Sequence, residues 1–377
     1  MSFRSLQLTG MLLYFTFAHQ QLRADIDIDV EMIEEGEDEV RVLTVRSDAD
    51  NAYVFCRTYE NGTIRIHAFE TEYEFDHTTL YDLTDDNFLL QLDRNEEVDE
   101  VVLLEEFDRL EVFTSGGHDL VRVSCDERPI FVFTNAGNDT VVADGQHVVI
   151  DGGVGNDYLL AESDGIDDTH GTCQVFGGPG DDWVEGYEFT TGQLEGGPGN
   201  DVVVSYCHAV TLGGGSGDDY LQNWADDAEA TLFGDVGNDV LVGAAGVDIL
   251  KGGDGDDVLI GFCPISTTVV QQLWSAGSFF PQIVLPELKA VNDGMVDLMS
   301  GGRGGDQFYS VFTEQQARRY LKTVRRQTMI RGQLVWVTSK VRASENTTVI
   351  VAEEHVRDLD EADGDEVIST SVGRVRI

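Results

Sequence analysis

Basic residues are scarce in this chain. Lys and Arg number 24 among 377 residues, against 70 Asp and Glu, which gives a net charge of −46. This charge excludes nucleic acid as a general partner, because nucleic-acid binding needs a dominant cationic surface. It favours multivalent cations as counter-charge, and a merely acidic or halophilic soluble protein is the alternative. With 41% hydrophobic residues, the chain is too apolar to be disordered throughout, so we expect a buried core.

Catalytic and redox motifs are also missing. The sequence contains no H-E-x-x-H metalloprotease motif and no G-x-S-x-G nucleophile elbow, and its five cysteines include no C-x-x-C pair. We therefore expect no enzyme activity. No apolar run reaches about 20 residues, so the sequence predicts no transmembrane segment.

The N-terminal segment 1–24 has the organisation of an export signal. Arg4 precedes an apolar stretch, from Leu6 to Ala18, that is too short to span a bilayer. The segment predicts a signal peptide and a secreted, extracellular protein, with the cell surface as a further location. A buried N-terminal strand is the alternative interpretation.

A short rhythm of strands and turns begins near residue 101 and continues to residue 261. Clusters of three or four Val, Ile, Leu and Phe recur every nine or ten residues, separated by Gly, Asp and Asn. Every second interval holds a similar loop, which ends in an aspartate directly before a strand, mostly 18–20 residues after the previous one. This period is one coil of an all-β solenoid, in which a lone coil cannot bury its apolar side chains but stacked coils can.

The stacking places charge along one edge of the solenoid. Coils stack at about 4.8 Å, so the loop aspartates form a file of carboxylates. Divalent cations between neighbouring carboxylates would relieve the repulsion along this file. Five loops read in full Gly-Gly-x-Gly-[Asn/Asp]-Asp, and such loops can turn carbonyl oxygens inward toward Ca²⁺, which takes six to eight oxygen ligands. Asn or Asp before the last aspartate is expected to tolerate left-handed geometry.

The loops resemble the hemolysin-type calcium-binding repeat of the RTX family, Gly-Gly-x-Gly-x-Asp-x-U-x, over residues 114–261 and 300–309. The resemblance implies a right-handed parallel β-helix (β-roll) that binds several Ca²⁺ ions. The predicted metal-binding aspartates are Asp119, Asp139, Asp157, Asp182, Asp201, Asp219, Asp239, Asp248, Asp257 and Asp306. The predicted metal-binding glycines are Gly152, Gly153, Gly155, Gly177, Gly178, Gly180, Gly196, Gly197, Gly199, Gly214, Gly215, Gly217, Gly234, Gly237, Gly252, Gly253 and Gly255.

Several loops depart from the pattern. The loops that end at Asp119 and Asp139 begin with Thr114 and Thr134 and lack the paired glycines. Family repeats often run nine residues apart, which places calcium on both edges, but here only Asp239, Asp248 and Asp257 follow that spacing. We therefore expect fewer ions than aspartates, mainly in one row.

The flanks are less regular. Residues 25–100 are acidic and β-rich, and form either a small β domain or degenerate first coils that cap the solenoid. Residues 262–310 are predicted to hold a helical interruption and a last repeat, and 311–377 a mixed α/β C-terminal cap. Eight basic residues cluster between Arg318 and Arg342. They predict either a cationic cap on the acidic solenoid or a contact patch for cell-surface glycans or other anionic surfaces.

The function that the sequence favours is calcium binding in an exported structural or surface-interaction protein. An extracellular polysaccharide-active enzyme or an adhesin, built on the solenoid as a calcium-dependent scaffold, is the alternative.

Overall fold

A computed structural model describes most of the chain between residues 26 and 261. The described residues are 26–36, 38–48, 51–70, 95–125, 128–163, 171–225, 228–261, 298–303, 307–309, 327–330, 333–336, 366–369 and 373–375. Within these ranges the chain is almost entirely β-strand, with one 3-10 turn at Leu104–Glu106. No helix in this part of the chain is long and apolar enough to cross a membrane.

The strands are short, as the three- and four-residue apolar clusters predict. In chain order they are Ile26–Glu35 (β1), Asp38–Ser47 (β2), Ala52–Tyr59 (β3), Thr63–Glu70 (β4), Asn95–Leu103 (β5), Arg109–Phe113 (β6), Leu120–Ser124 (β7), Ile130–Phe133 (β8), Thr140–Asp144 (β9), His147–Asp151 (β10), Tyr158–Glu162 (β11), Thr172–Phe176 (β12), Trp183–Tyr187 (β13), Thr191–Pro198 (β14), Val202–Tyr206 (β15), Ala209–Ser216 (β16), Tyr220–Asn223 (β17), Glu229–Val236 (β18), Val240–Val242 (β19), Ile249–Asp254 (β20), Val258–Ile260 (β21), Leu298–Arg303 (β22), Gln307–Tyr309 (β23), Gln327–Ile330 (β24), Gln333–Trp336 (β25), Glu366–Ser369 (β26) and Gly373–Val375 (β27).

Alternate strands build two long sheets, and this arrangement confirms the predicted parallel β-solenoid. Sheet A runs β6-β8-β10-β12-β14-β16-β18-β20-β22, and sheet B runs β7-β9-β11-β13-β15-β17-β19-β21-β23. All these neighbours are parallel, so each A–B pair is one coil of the solenoid. Within sheet B, the first residues of successive strands pair with one another, as Trp183 does with Val202. The loop residue before each strand therefore lies directly above its counterpart in the next coil.

The N-terminal strands belong to the same two sheets. β2 pairs in parallel with β6, and β3 pairs in parallel with β7, so β2 and β3 act as an initial, degenerate coil. The strands β1, β4 and β5 are antiparallel and close the end of the stack. At this end of the solenoid the edge strands are β1 and β5, and their many acidic residues discourage pairing with another chain. The apolar cluster at 101–104 lies in this cap, and the regular coils begin at β6.

The interior of the solenoid is a continuous apolar core. Alternate residues of both sheets point inward, such as Val184 and Leu221 in sheet B and Leu212 in sheet A, and all are fully buried. Four cysteines in the described residues, Cys56, Cys125, Cys173 and Cys207, are buried free thiols. They fill interior space as small apolar side chains.

The outward faces of the two sheets differ. Outward residues of sheet A are mostly polar and exposed, such as Thr191 and Glu229. Outward residues of sheet B form a second apolar cluster in which Trp183 is 1% exposed and Tyr220 is 0% exposed. Both faces of sheet B are therefore apolar, which is why its strands are continuous apolar runs in the sequence.

Several predictions fall outside the described residues. These are the signal peptide at 1–24, the helical interruption between 262 and 297, Asp306, and all eight basic residues between Arg318 and Arg342. They stay predictions.

Candidate metal sites

A row of buried aspartates follows one edge of the solenoid, where sheet A turns into sheet B. Each aspartate directly precedes a sheet B strand, and the parallel register stacks the carboxylates along the axis. All members are at most 1% exposed, although each carries an ionisable group. The row comprises Asp119, Asp139, Asp157, Asp182, Asp201, Asp219, Asp239 and Asp257.

One carboxylate oxygen of each row aspartate is bound to the neighbouring coil. The backbone N–H of Asp182 donates to Asp201 Oδ1 at 2.8 Å, and that of Asp201 donates to Asp219 Oδ1 at 2.8 Å. The same bond repeats along the row, from the Ala52 N–H onto Asp119 up to the Asp239 N–H onto Asp257. These bonds hold every row carboxylate in place, so one oxygen of each carboxylate links two neighbouring coils.

The second oxygen of the row aspartates has no such bond. Oδ2 is buried and has no hydrogen-bond partner in seven of them: Asp119, Asp139, Asp157, Asp182, Asp201, Asp219 and Asp239. A buried carboxylate oxygen without a partner costs about 1–3 kcal/mol or more, and folded proteins rarely retain one. Five of these oxygens belong to loops that begin with glycine, and they indicate a ligand that is not part of the polypeptide: those of Asp157, Asp182, Asp201, Asp219 and Asp239.

The loop glycines make room beside these oxygens. A Cβ on Gly177 would lie 2.5 Å from Asp182 Oδ2 and 2.6 Å from the carbonyl oxygen of Gly196 in the next coil. A Cβ on Gly152 would meet Asp157 Oδ2 at 2.6 Å and the Gly177 carbonyl oxygen at 2.9 Å. The absent side chain therefore leaves a space toward which a carboxylate oxygen and a carbonyl oxygen converge. The buried glycines at this first loop position are Gly152, Gly177, Gly196, Gly214, Gly234 and Gly252.

The remaining predicted glycines shape the loop backbone. Those at the second loop position (Gly153, Gly178, Gly197, Gly215 and Gly253) and the fourth (Gly155, Gly180, Gly199, Gly217, Gly237 and Gly255) have φ between +94° and +153°. At the fourth position a Cβ would also overlap the carbonyl oxygen of the preceding coil, as at Gly199 against Gly180. Glycine is required there both for its φ and for the closeness of the stacked backbones.

A second ladder, which sequence analysis missed, runs outside the aspartate row. From His118 to Asn238, the residue before each row aspartate accepts a bond from the next coil. For example, the Asp181 N–H donates to Asn156 Oδ1 at 2.9 Å, and the Asn200 N–H donates to Asp181 Oδ1 at 2.8 Å. These positions do not adopt the left-handed geometry that Asn and Asp tolerate. In the described chain, positive φ outside glycine occurs only at Asn135, Glu188 and Asp235. Asn or Asp is used here for its side-chain oxygen, and the recurrence of those two residue types was the available signal.

Burial dominates the electrostatics of the metal-free row. It raises the pKa of the carboxyls from 3.8, and the backbone N–H bonds oppose this only in part. Neighbouring carboxylates raise the pKa further, most clearly at Asp182 and Asp219. The resulting pKa is about 6 for Asp119, about 7 for Asp157, Asp201 and Asp239, about 8 for Asp139, and about 9 for Asp182 and Asp219. A cation is needed to hold all these groups ionised at neutral pH.

The chemistry of the donors fits calcium. Carboxylate and backbone carbonyl oxygens are hard ligands, and Ca²⁺ accepts six to eight of them in flexible geometry. Among the described residues, no three His, Cys, Asp or Glu side chains converge on one point. The sites would therefore draw most of their ligands from loop carbonyls, together with the row carboxylates.

Among the described residues, the opposite edge has one comparable loop, Gly243–Asp248. Asp248 is fully buried, and it accepts the Ala230 N–H on Oδ1 at 2.9 Å and the Ala244 N–H on Oδ2 at 2.7 Å. Both of its oxygens therefore have backbone partners, unlike those of the seven row aspartates. The geometry places the orphaned oxygens on the first edge.

Comparison with known families agrees with this geometry. The family model for the RTX calcium-binding nonapeptide repeat matches in 4 copies, over residues 133–165 and 230–261. The matched coils are similar to RTX calcium-binding repeats. Comparisons with curated proteins and with solved structures gave no match. The loops that end at Asp182, Asp201 and Asp219 lie between the two matched segments and repeat the same bonds, so the stacked loop geometry is continuous across them.

Proposed function

We propose that this protein is an exported structural or surface-interaction protein whose solenoid is stabilised by several Ca²⁺ ions along the aspartate row. The observation that carries this proposal is the file of buried Oδ2 oxygens beside glycine-lined spaces. When bound, the ions would supply positive charge and coordination to these oxygens and to the loop carbonyls.

Calcium would control how far the chain folds. Without an ion, each coil of the row must bury a carboxylate that is either protonated or ionised at a cost in free energy. With an ion, the free energy of binding adds directly to the free energy of folding. The coils would be loose at the low calcium concentration of a cytosol and rigid at the millimolar concentration outside a cell.

Export is supported by two independent points. Proteins with RTX repeats are typically secreted, and segment 1–24 has the charge and length of a signal peptide. The role is proposed to be non-catalytic, because the sequence carries neither catalytic motif and the described loops use their carboxylates in the two ladders. Contact with glycans or anionic surfaces through Arg318–Arg342 is part of the same proposal.

The experiment is a calcium titration by calorimetry and circular dichroism on the full chain, with a matched pair of variants. Asp219→Asn removes the charge at an inner row position, whereas Asp218→Asn removes it at the adjacent outer position, which only accepts the Asn238 N–H and side chain. We expect the wild type and Asp218→Asn to bind the same number of ions, and Asp219→Asn to bind one fewer. Equal calcium binding by both variants, or an identical wild-type spectrum with calcium and with chelator, would contradict the proposal.

A further inference from the structure

The first position of the row loops differs between the two ends of the solenoid. From the loop that ends at Asp157 onward this position is glycine, whereas the loops that end at Asp119 and Asp139 begin with Thr114 and Thr134. Both threonines are buried, at 2% and 0% exposure. A polar side chain that is buried so completely needs a defined partner.

The threonine hydroxyls occupy the space that glycine leaves open in the other loops. Thr134 Oγ1 donates to the Gly152 carbonyl oxygen of the next coil at 2.8 Å, and Thr114 Oγ1 donates to the Thr134 carbonyl oxygen at 3.3 Å. In the glycine loops, the equivalent carbonyl oxygen and the row Oδ2 converge on the missing Cβ.

We propose that Thr114 and Thr134 close the first two loops to calcium, so that the row of ions begins at the loop of Asp157. This inference rests on the proposed calcium binding. The threonine side chain takes the place that the missing glycine side chain leaves open in the other loops, and its hydroxyl replaces the ion as the link to the carbonyl oxygen of the next coil. The family match includes the Asp139 loop, so the proposal distinguishes the structural repeat from an ion site.

The closed loops adjoin the part of the molecule that has other means of stabilisation. The N-terminal cap buries large side chains such as Phe107 and Ile66, and Arg41 pairs with Asp108 at 2.7 Å. The Arg128 side chain also donates to the carbonyl oxygens of Phe107 and Leu104. The cap and the first two coils would fold without calcium. Their strands would then supply the sheet edges onto which the calcium-dependent coils stack.

Reciprocal substitutions test the closure, with bound calcium counted by equilibrium dialysis and metal analysis. Thr134→Gly should open a site and bind one ion more than the wild type. Gly177→Thr should close the site of Asp182 and bind one ion fewer. Thr134→Val keeps the volume but lacks the hydroxyl, and should bind the wild-type number.

An unchanged count in Thr134→Gly overturns the closure while leaving calcium binding intact, whereas a wild type that binds no calcium overturns the proposed function itself. Hydrogen exchange of the wild type in chelator provides a measurement that needs no variant. The Asp119 and Ala52 amides, which bond to the first two row carboxylates, should be protected, and the Asp182 and Asp201 amides should exchange at least tenfold faster. Equal exchange rates in the two sets would overturn the inference.

Discussion

Asp201→Asn separates the two roles of a row carboxylate. Asparagine keeps an oxygen to accept the Asp182 N–H, now bonded at 2.8 Å, but it removes the charge at the orphaned Oδ2. In the metal-free chain that charge opposes folding, and in the calcium-loaded chain it binds the ion. The substitution should therefore act in opposite directions on the free energy of unfolding of the metal-free chain and on the gain from calcium.

The magnitudes follow from the site. The pKa of Asp201 in the folded, metal-free chain is about 7, against an ordinary value of 3.8. At pH 8 the ionised carboxylate lowers stability by up to about 4 kcal/mol, at about 1.4 kcal/mol for each pH unit between the two values. Asp201→Asn should recover much of this in chelator. At a free calcium concentration of about 100 Kd, it should lose about 2.7 kcal/mol of the gain that each occupied site provides.

The assay is urea unfolding in chelator and in calcium, followed by tryptophan fluorescence, since Trp183 is buried directly after Asp182. Asp201→Ala is the control that removes both oxygens. It leaves the Asp182 N–H without its acceptor, so it should be about 1–3 kcal/mol less stable than Asp201→Asn in both conditions. Its Asp182 amide should also exchange faster. The reasoning is refuted if Asp201→Asn is no more stable than the wild type in chelator and gains as much from calcium.

Three further predictions concern pH, backbone closeness and the cap. In chelator the wild type should become more stable as pH falls from 9 to 5, because the folded row carboxylates, with pKa between about 6 and 9, hold protons that the unfolded chain has released. In urea titrations, saturating calcium should make stability nearly independent of pH. A stability that does not change with pH in chelator would contradict the assigned pKa shifts. Gly199→Ala places a Cβ against the Gly180 carbonyl oxygen at a φ of +148°, and should lower the free energy of unfolding by more than about 2 kcal/mol. Gly213→Ala, whose Cβ would have its nearest neighbour at 3.5 Å, should lower it by less than about 1 kcal/mol. Thermal unfolding measures both, and similar losses in the two variants would contradict the stacked geometry. Arg128→Ala removes two hydrogen bonds to carbonyl oxygens of the cap and should lower stability by about 1–3 kcal/mol, equally with and without calcium. An effect seen only in calcium would contradict a cap that folds without metal.

The repeat could be predicted from the sequence alone. A spacing of mostly 18–20 residues with two apolar clusters per period specifies stacked coils, because only neighbouring coils can bury those clusters. It also identified the aspartates of the row and the glycines beside them, since their order within the loop is fixed by the backbone that each loop must adopt. Each of these features depends on residues within one loop or one coil, so it can be predicted from a short stretch of sequence.

The use of each carboxylate could not be predicted in this way, because it depends on contacts between coils. Asp201 Oδ1 accepts a hydrogen bond from the Asp182 amide, 19 residues away in the sequence. Only when that bond is known can Oδ2 be identified as the oxygen without a partner. The same is true of Asn51, which accepts the His118 N–H across 67 residues and shows that the N-terminal segment continues the ladder. Thr134 reads in the sequence as a departure from the motif, but its contact with the Gly152 carbonyl makes it a replacement for an ion. The physical reason is common to all three: the bonds run between coils, along an axis that the order of residues does not encode.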